Sequence, residues 1–142
     1  MKQIYLIGSL RNEAVPTTGV YLRTLGFEVF DQWYSAGERA DDAFYDYAKL
    51  RGWSYQEALD SYAAKHIFSF DKFHIDRSDI GVLVMPAGKS GHLELGYMIG
   101  CGKPGYILFD KEPERLDQMH AFADRVFFSV DDLGHCLLRR HG

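Results

Sequence analysis

The chain has 142 residues and a mass of 16.3 kDa, and we predict one domain over residues 1–142. Its composition, 46% hydrophobic and 25% charged residues, excludes intrinsic disorder. The net charge of −4 argues against a nucleic-acid partner held by bulk positive charge. No apolar run reaches the ~20 residues of a membrane span. The N-terminus lacks a signal-peptide pattern and there are only two cysteines, so we expect a reduced, cytoplasmic protein.

In chain order, residues 3–8 predict a buried strand, residues 17–25 a helix that Gly26 ends, and residues 27–30 a second strand. The stretch 40–77 has no strand pattern and predicts two helices, over 41–50 and 55–73. Ser54 and Glu57 have the spacing of a capping box at the start of the second helix. Helical spacing within this helix predicts one buried stripe, formed by Leu59, Tyr62, Ala63, His66, Ile67 and Phe70.

The second half of the chain continues the alternation of strands and helices. Residues 79–85, 105–109 and 125–128 predict strands, and residues 92–100 and 112–123 predict helices. Ser129 is a candidate N-cap for a last helix. Strands that alternate with helices favour a parallel sheet with helices on both faces.

Two glycine-containing turns follow predicted strands, where ligands bind in open parallel sheets. One contains Gly8, Ser9 and Arg11, and the other contains Gly88, Ser90, Gly91 and His92. Close backbone approach, free amides and hydroxyls suit an anion or a sugar. The alternative is that the glycines only allow each strand to turn into a helix. A dinucleotide fingerprint is absent, and Leu83 stands where a phosphate-binding loop of the Walker type needs glycine, which argues against both of those nucleotide sites.

Glu94 follows the second turn and lies one turn inside a helix for which Ser90 is a candidate N-cap. The positive end of the helix dipole is expected to keep this carboxylate ionised at neutral pH. An ionised carboxylate can act as a nucleophile or stabilise a cation. The alternative is a glutamate that only stabilises its helix.

Several motifs occur in the order found in one enzyme family. They are I-Y-L-I-G-S-L-R at residues 4–11, Asp71 and Asp79 eight residues apart, G-H-L-E-L-G-Y at residues 91–97, and G-K-P at residues 102–104. In this respect the chain resembles the nucleoside 2-deoxyribosyltransferases and the related deoxynucleoside 5′-monophosphate N-glycosidases. The resemblance extends from the first predicted strand to the fourth.

The resemblance implies a role for several residues. Glu94 matches the nucleophile that attacks C1′ of the sugar, Tyr5 matches the tyrosine that orients it, and Asp71 matches the aspartate that assists protonation of the leaving base. Gly8, Ser9 and Arg11 match the 5′-phosphate loop of the monophosphate N-glycosidases. Base contacts are implied for Gln32 and Trp33, and homo-oligomers are implied because a neighbouring subunit completes the pocket. Some transferases have an aspartate at the position of Gly88, so we expect Ser90 to supply the polar contact to the sugar.

The glycosidic chemistry also follows from the residues themselves. Cleavage of an N-glycosidic bond develops positive charge on the sugar, which a carboxylate stabilises, and the leaving base needs a proton donor. Asp71 beside Phe70 and Phe73 can occupy the apolar setting that keeps a donor protonated. The alternative for Asp71 is a surface residue near a helix end.

Other ligand types receive less support. His92 and Glu94, with His66 and His74, fit no standard zinc spacing, so we expect no metal, and we expect no cofactor. His92 is instead expected to line the loop or contact the ligand.

We therefore predict a three-layer α/β fold of flavodoxin-like or Rossmann-like type, with a five-stranded parallel sheet in the order 2-1-3-4-5. The predicted function is cleavage or transfer at the N-glycosidic bond of a (deoxy)nucleoside or its 5′-monophosphate. Three alternatives are a non-catalytic nucleotide sensor, an FMN-binding carrier and a structural interaction domain.

Overall fold

The computed structural model describes residues 2–142, so Met1, the first residue of the predicted domain, lies outside the described residues. One sheet contains the strands β1 (Gln3–Ile7), β2 (Glu28–Phe30), β3 (Ile80–Val84), β4 (Gly105–Leu108) and β5 (Arg125–Phe127). Each neighbouring pair is parallel, and the spatial order is β2-β1-β3-β4-β5. The predicted fold class and strand order are confirmed.

The helices cover both faces of this sheet. They are α1 (Ala14–Thr24), α2 (Ala40–Leu50), α3 (Tyr55–Asp60), α4 (Tyr62–Arg77), α5 (Lys89–Gly100) and α6 (Val130–His141), and 3₁₀ turns span Gln32–Ala36 and Gln118–Phe122. Alternate residues of β1 enter opposite layers. Ile4 and Leu6 pack in the layer that contains α1 and α6, whereas Tyr5 and Ile7 pack in the layer that contains α4 and α5. Within residues 2–142, no helix has both the length and the apolar character needed to cross a bilayer.

Residues 112–123 do not form the predicted helix. Only the 3₁₀ turn Gln118–Phe122 forms there, and residues 110–119 are exposed. Pro113 lacks a backbone N–H and so cannot donate a hydrogen bond within a helix. The segment also has no buried apolar face, so no tertiary packing offsets the loss of chain entropy that helix formation requires. The prediction was wrong because it relied on local propensity alone.

The helix predicted over residues 55–73 is two helices, separated at Ser61. The backbone of Ser61 is extended, its Oγ donates to the carbonyl of Ala58 at 2.7 Å and accepts from the amide of Ala64 at 3.2 Å. The serine therefore ends α3 and begins α4. The predicted capping box at Ser54 and Glu57 is confirmed, as is the cap of α6 by Ser129.

The predicted buried stripe in this region is also wrong. Its six members are all exposed, and Tyr62 is 92% exposed. Instead, α4 and its C-cap Ser78 turn a different face toward the protein, and this face contains Asp71, His74, Ile75 and Ser78 at the same helical spacing. Periodicity identifies a stripe, but it does not identify which face the sheet will cover.

Helix α5 begins earlier than predicted. Gly88 is its N-cap, so Ser90 lies inside the first turn and does not cap the helix. Glu94 is consequently in the second turn, where the dipole of the helix terminus has a weaker effect than in the first turn.

Candidate functional site

Three acidic groups from three elements meet on one face of the sheet. Tyr5 comes from β1, Asp71 from α4 and Glu94 from α5. The charges of Asp71 and Glu94 both act on the phenol of Tyr5, and the charge of Asp71 acts on Glu94. Strand β1 places Tyr5 in the layer between the sheet and α4 and α5, so residues far apart in the sequence form one cluster.

Tyr5 is a protonated donor in this cluster. Its side chain is 1% exposed and its ring stacks on Phe30, with ring centroids 5.7 Å apart. Burial, followed by the charges of Glu94 and Asp71, raises the pKa of the phenol far above its ordinary value. The hydroxyl therefore keeps its proton and can donate a hydrogen bond to the carboxylate of Glu94.

Glu94 is not the permanently ionised carboxylate that its helix position predicts. Its pKa is raised to about 7, mainly by burial and in part by the negative charge of Asp71, while the hydrogen bond from the Tyr5 hydroxyl opposes this rise. The expectation of full ionisation at neutral pH was wrong, because desolvation outweighs a helix dipole that acts mainly on the first turn.

Asp71 is partly buried, although its sequence neighbours Phe70 and Phe73 are 45% and 62% exposed. This burial raises the pKa of the carboxyl above its ordinary value. Asp71 and Glu94 interact, so the two carboxyls titrate as a pair. Near neutral pH such a pair can hold one proton in common. The form with this proton on Asp71 and with Glu94 ionised has the proton donor and the anionic carboxylate that cleavage of a glycosidic bond requires.

The two glycine turns approach each other at positions where a side chain does not fit. A Cβ on Gly8 would lie 2.8 Å from Cγ2 of Val15 and 3.2 Å from the carbonyl oxygen of Val84. A Cβ on Gly91 would lie 3.0 Å from Cδ1 of Leu83. The glycines bring the backbone of both turns against the ends of β1 and β3.

Asn12 joins these turns, and sequence reasoning did not select it as a site residue. Its Nδ2 donates to the carbonyls of Val84 at 3.3 Å and Pro86 at 3.4 Å, and its Oδ1 accepts from the amide of Ala14 at 3.0 Å. The sequence does contain a signal for this role, because Asn12 lies between a predicted strand and a predicted helix and asparagine side chains often bond to nearby backbone.

The predicted phosphate loop is already ordered by internal contacts. Ser9 Oγ accepts from the amide of Arg11 at 3.1 Å. The guanidinium of Arg11 donates through both terminal nitrogens to Asp41, each at 3.1 Å, and to the carbonyl of Glu38 at 2.8 Å. Arg11 therefore links the loop after β1 to the start of α2, and this guanidinium lowers the pKa of Asp41.

Gln32 and Trp33, the two residues expected to contact the base of the substrate, have different surroundings. Trp33 is partly buried against both apolar layers, and its Nε1 donates to the carbonyl of Leu6 at 2.7 Å. Gln32 is exposed and lines a surface depression with Arg23, Phe30 and Arg77, and the lining of that depression does not include Glu94. Trp33 thus contacts β1, the strand that contains Tyr5.

The polar residues of the second turn also have different surroundings. Gly88 and Ser90 are exposed, and nothing lies within 4 Å of a Cβ built on Gly88. His92 is partly buried, and its Nε2 lies 3.1 Å from Nε2 of His120. His66 is exposed, and His74 stacks on Phe30, so neither joins His92 in the histidine cluster weighed from the sequence.

Two solved structures share this fold over nearly the whole chain. The 2-deoxyribosyltransferase of Bacillus psychrosaccharolyticus aligns with a TM-score of 0.60 at 20% identity, covering 93% of this chain and 90% of that chain. The Clostridium botulinum CMP N-glycosidase BcmB aligns with a TM-score of 0.50 at 15% identity, covering 96% and 98% respectively. No protein-family model and no curated protein sequence matches the chain.

Proposed function

We propose that this chain belongs with the nucleoside 2-deoxyribosyltransferases and related N-glycosidases, and that it cleaves the N-glycosidic bond of a (deoxy)nucleoside or its 5′-monophosphate. The observation that carries the proposal is the meeting of Tyr5, Asp71 and Glu94 on one side of the sheet. The names of the two solved structures with this fold, a deoxyribosyltransferase and a CMP N-glycosidase, support the same chemistry.

In the proposed reaction, the carboxylate of Glu94 attacks C1′ of the sugar and the bond from C1′ to the base nitrogen breaks. The electron pair of that bond leaves with the base, which takes a proton from Asp71. The products of this step are a glycosyl ester on Glu94 and the free base. Tyr5 donates to the Glu94 carboxylate and holds it in the attacking orientation.

A second nucleophile then releases the sugar from Glu94. Attack by water at C1′ gives the free sugar and makes the protein a hydrolase, whereas attack by the nitrogen of another base makes it a transferase. In both cases the carboxylate of Glu94 is restored, and the proton lost by the nucleophile returns to Asp71. Release of base with and without an acceptor base separates these two reactions.

The loop after β1 is proposed to bind the 5′ end of the substrate. Ser9, Arg11 and the amides that follow Gly8 are donors suited to a phosphate. Arg11 presently donates to Asp41. A bound phosphate would compete with that carboxylate for the guanidinium.

We also propose that the chain acts as a homo-oligomer. Phe68, Phe70 and Phe73 of α4 are 65%, 45% and 62% exposed and flank Asp71, so a second copy that covers them would also enclose the site. Light scattering after gel filtration is expected to show a dimer or larger species that Phe68→Asp dissociates. A monomeric wild-type chain at the concentrations used for activity would overturn this part of the proposal.

The test of the main proposal is release of free base from a panel of deoxynucleosides, nucleosides and their 5′-monophosphates. Glu94→Ala is expected to reduce turnover by about a thousandfold or more while the far-ultraviolet circular dichroism spectrum is unchanged. Glu112→Ala, an exposed glutamate outside the site, is the matched control and is expected to keep wild-type activity. Near-normal turnover by Glu94→Ala would show that Glu94 is not the nucleophile, and binding without base release would favour a nucleotide sensor.

A further inference from the structure

Three groups with metal-ligand chemistry meet beside β4, outside the carboxylate cluster. His92 comes from α5, whereas Asp117 and His120 come from the connection between β4 and β5. One donor atom from each residue lies within 4.8 Å of the other two. Nε2 of His92 is 3.1 Å from Nε2 of His120, which in turn is 3.6 Å from Oδ2 of Asp117.

The side chains of His92 and Asp117 are each oriented by a second contact. In each case one atom that can bind a metal still faces the cluster. Nδ1 of His92 lies 2.8 Å from the carbonyl oxygen of Gly88. A carbonyl only accepts, so Nδ1 carries the proton and Nε2 of the neutral ring presents its lone pair to the cluster. Oδ1 of Asp117 accepts from the amide of Met119 at 2.9 Å, which leaves Oδ2 for another partner.

The ring of His120 is held by packing. It stacks on the ring of His92, with centroids 5.2 Å apart and planes at 16°, and it also contacts Phe109. A histidine whose second nitrogen is bound to a backbone carbonyl, next to an oriented carboxylate, is the arrangement that usually surrounds metal-ligating side chains.

Two of the three separations between ligand atoms suit a tetrahedral ion, and the third lies within 4.8 Å. With a zinc–nitrogen distance of about 2.0–2.1 Å, two ligands at the tetrahedral angle lie about 3.3 Å apart. The separations of 3.1 Å and 3.6 Å lie on either side of this value. Two imidazole nitrogens favour zinc and its first-row neighbours, since calcium and magnesium prefer oxygen ligands.

We propose that His92, Asp117 and His120 bind a zinc ion, with water completing its coordination. Binding displaces the proton that lies between the two Nε2 atoms, and the neutral ring of His120 then carries this proton on Nδ1, so that its Nε2 can bind the ion. The ion would fasten the connection between β4 and β5 to the first turn of α5. This proposal is independent of the glycosidic reaction, and it makes His92 a metal ligand in place of the substrate contact expected from the sequence.

The proposal is tested by calorimetric titration of the untagged full chain with zinc chloride after treatment with a chelator. We expect one zinc per chain, and we expect His92→Ala and His120→Ala each to lower the affinity by about a hundredfold. His135→Ala removes an exposed histidine of α6, and Cys101→Ser removes an exposed thiol. Both controls are expected to bind zinc as the wild type does.

Nitrogen-detected histidine NMR spectra of the wild type provide a test that does not need a stable variant. Zinc is expected to shift the Nε2 signals of His92 and His120 and to raise the melting temperature, whereas magnesium is expected to do neither. No saturable binding by the wild type, shifts at other histidines only, or equal binding by wild type and both alanine variants would each overturn the proposal.

Discussion

The side-chain amide of Asn12 donates to the main-chain carbonyl of Val84 at 3.3 Å, and this contact joins the loop after β1 to the end of β3. The same amide donates to the carbonyl of Pro86 at 3.4 Å. Asn12 therefore holds together the two turns between which we expect the substrate to bind.

We predict that Asn12→Ala lowers the free energy of unfolding by about 1–2 kcal/mol, because two carbonyls lose their donor. Asn12→Asp separates the two roles of the side chain, since it keeps the acceptor for Ala14 and loses both donors. We expect a comparable loss for Asn12→Asp in urea unfolding. An aspartate variant as stable as the wild type would mean that only the contact with Ala14 matters.

Removal of the Tyr5 hydroxyl is predicted to reduce kcat and to change stability little. Tyr5→Phe keeps the ring packed on Phe30 and removes the donor to Glu94, so we expect kcat for base release to fall about ten- to a hundredfold. Tyr106→Phe is the matched control, because Tyr106 is equally buried and lies in the opposite apolar layer. Equal kinetics for wild type and Tyr5→Phe would remove the orienting role of Tyr5.

The pH dependence of base release is predicted to contain a falling limb that depends on Asp71. Burial raises the pKa of this carboxyl, so the acid form persists to higher pH than in an ordinary aspartate and is lost as the pH rises through the raised pKa. Activity that uses the acid form is expected to fall over the same range. Asp71→Asn is expected to remove this limb and lower kcat, and a limb that remained in this variant would belong to another group.

The same substitution has an expected effect on stability, and its sign follows from the raised pKa. A carboxyl whose pKa is raised on folding lowers stability when it is ionised. Asp71→Asn is therefore expected to be more stable than wild type above the raised pKa, with the difference vanishing below the ordinary value of 3.8. Thermal melts at several pH values measure this, with Asp46→Asn on the exposed part of α2 as the control.

Gly88 is predicted to accept the aspartate that some transferases have at this position. Nothing lies within 4 Å of a Cβ there, its φ of −90° suits any residue, and it is the N-cap of α5. Gly88→Asp is expected to raise the free energy of unfolding by a few tenths of a kcal/mol. If this aspartate contacts the sugar, KM is expected to fall about two- to tenfold.

Gly91→Ala is the contrasting variant, because its Cβ would meet Leu83 at 3.0 Å and Ile7 at 3.2 Å. We expect it to lower the melting temperature, whereas Gly88→Asp does not. If Gly88→Asp lowered the melting temperature as much as Gly91→Ala does, this result would contradict the open surroundings of Gly88.

Arg11 is predicted to select 5′-monophosphates over free nucleosides. Loss of its charge-assisted hydrogen bonds should cost about 1.5–3 kcal/mol, so Arg11→Ala is expected to raise KM for the monophosphate about ten- to a hundredfold with kcat little changed. Asp41→Asn is the matched variant, since it removes the carboxylate that competes for the guanidinium, and it should lower KM for the monophosphate. Equal use of both substrates by the wild type would assign this loop to the sugar.

Much of the sheet could be predicted from the sequence because its signals are local. Buried parallel strands need continuous apolar runs, and such runs at residues 4–7, 80–84 and 105–108 mark β1, β3 and β4. The strand order 2-1-3-4-5 is confirmed. Helices with a capping residue or an apolar face were also predictable. The helix predicted over residues 112–123 from propensity alone does not form, because this segment has no buried face.

The sequence by itself determined the sheet, the turns after β1 and β3, and the residue types that glycosidic chemistry would use. Only the tertiary structure brought Tyr5, Asp71 and Glu94 together, raised the pKa of Glu94 to about 7, and set His92 against His120. It also decided that α4 buries the face containing Asp71 and Ile75 and leaves the more apolar one exposed. Apolar runs and helical spacing are properties of neighbouring residues, whereas burial and charge–charge interactions depend on distances between distant segments, which exist only once the chain has folded.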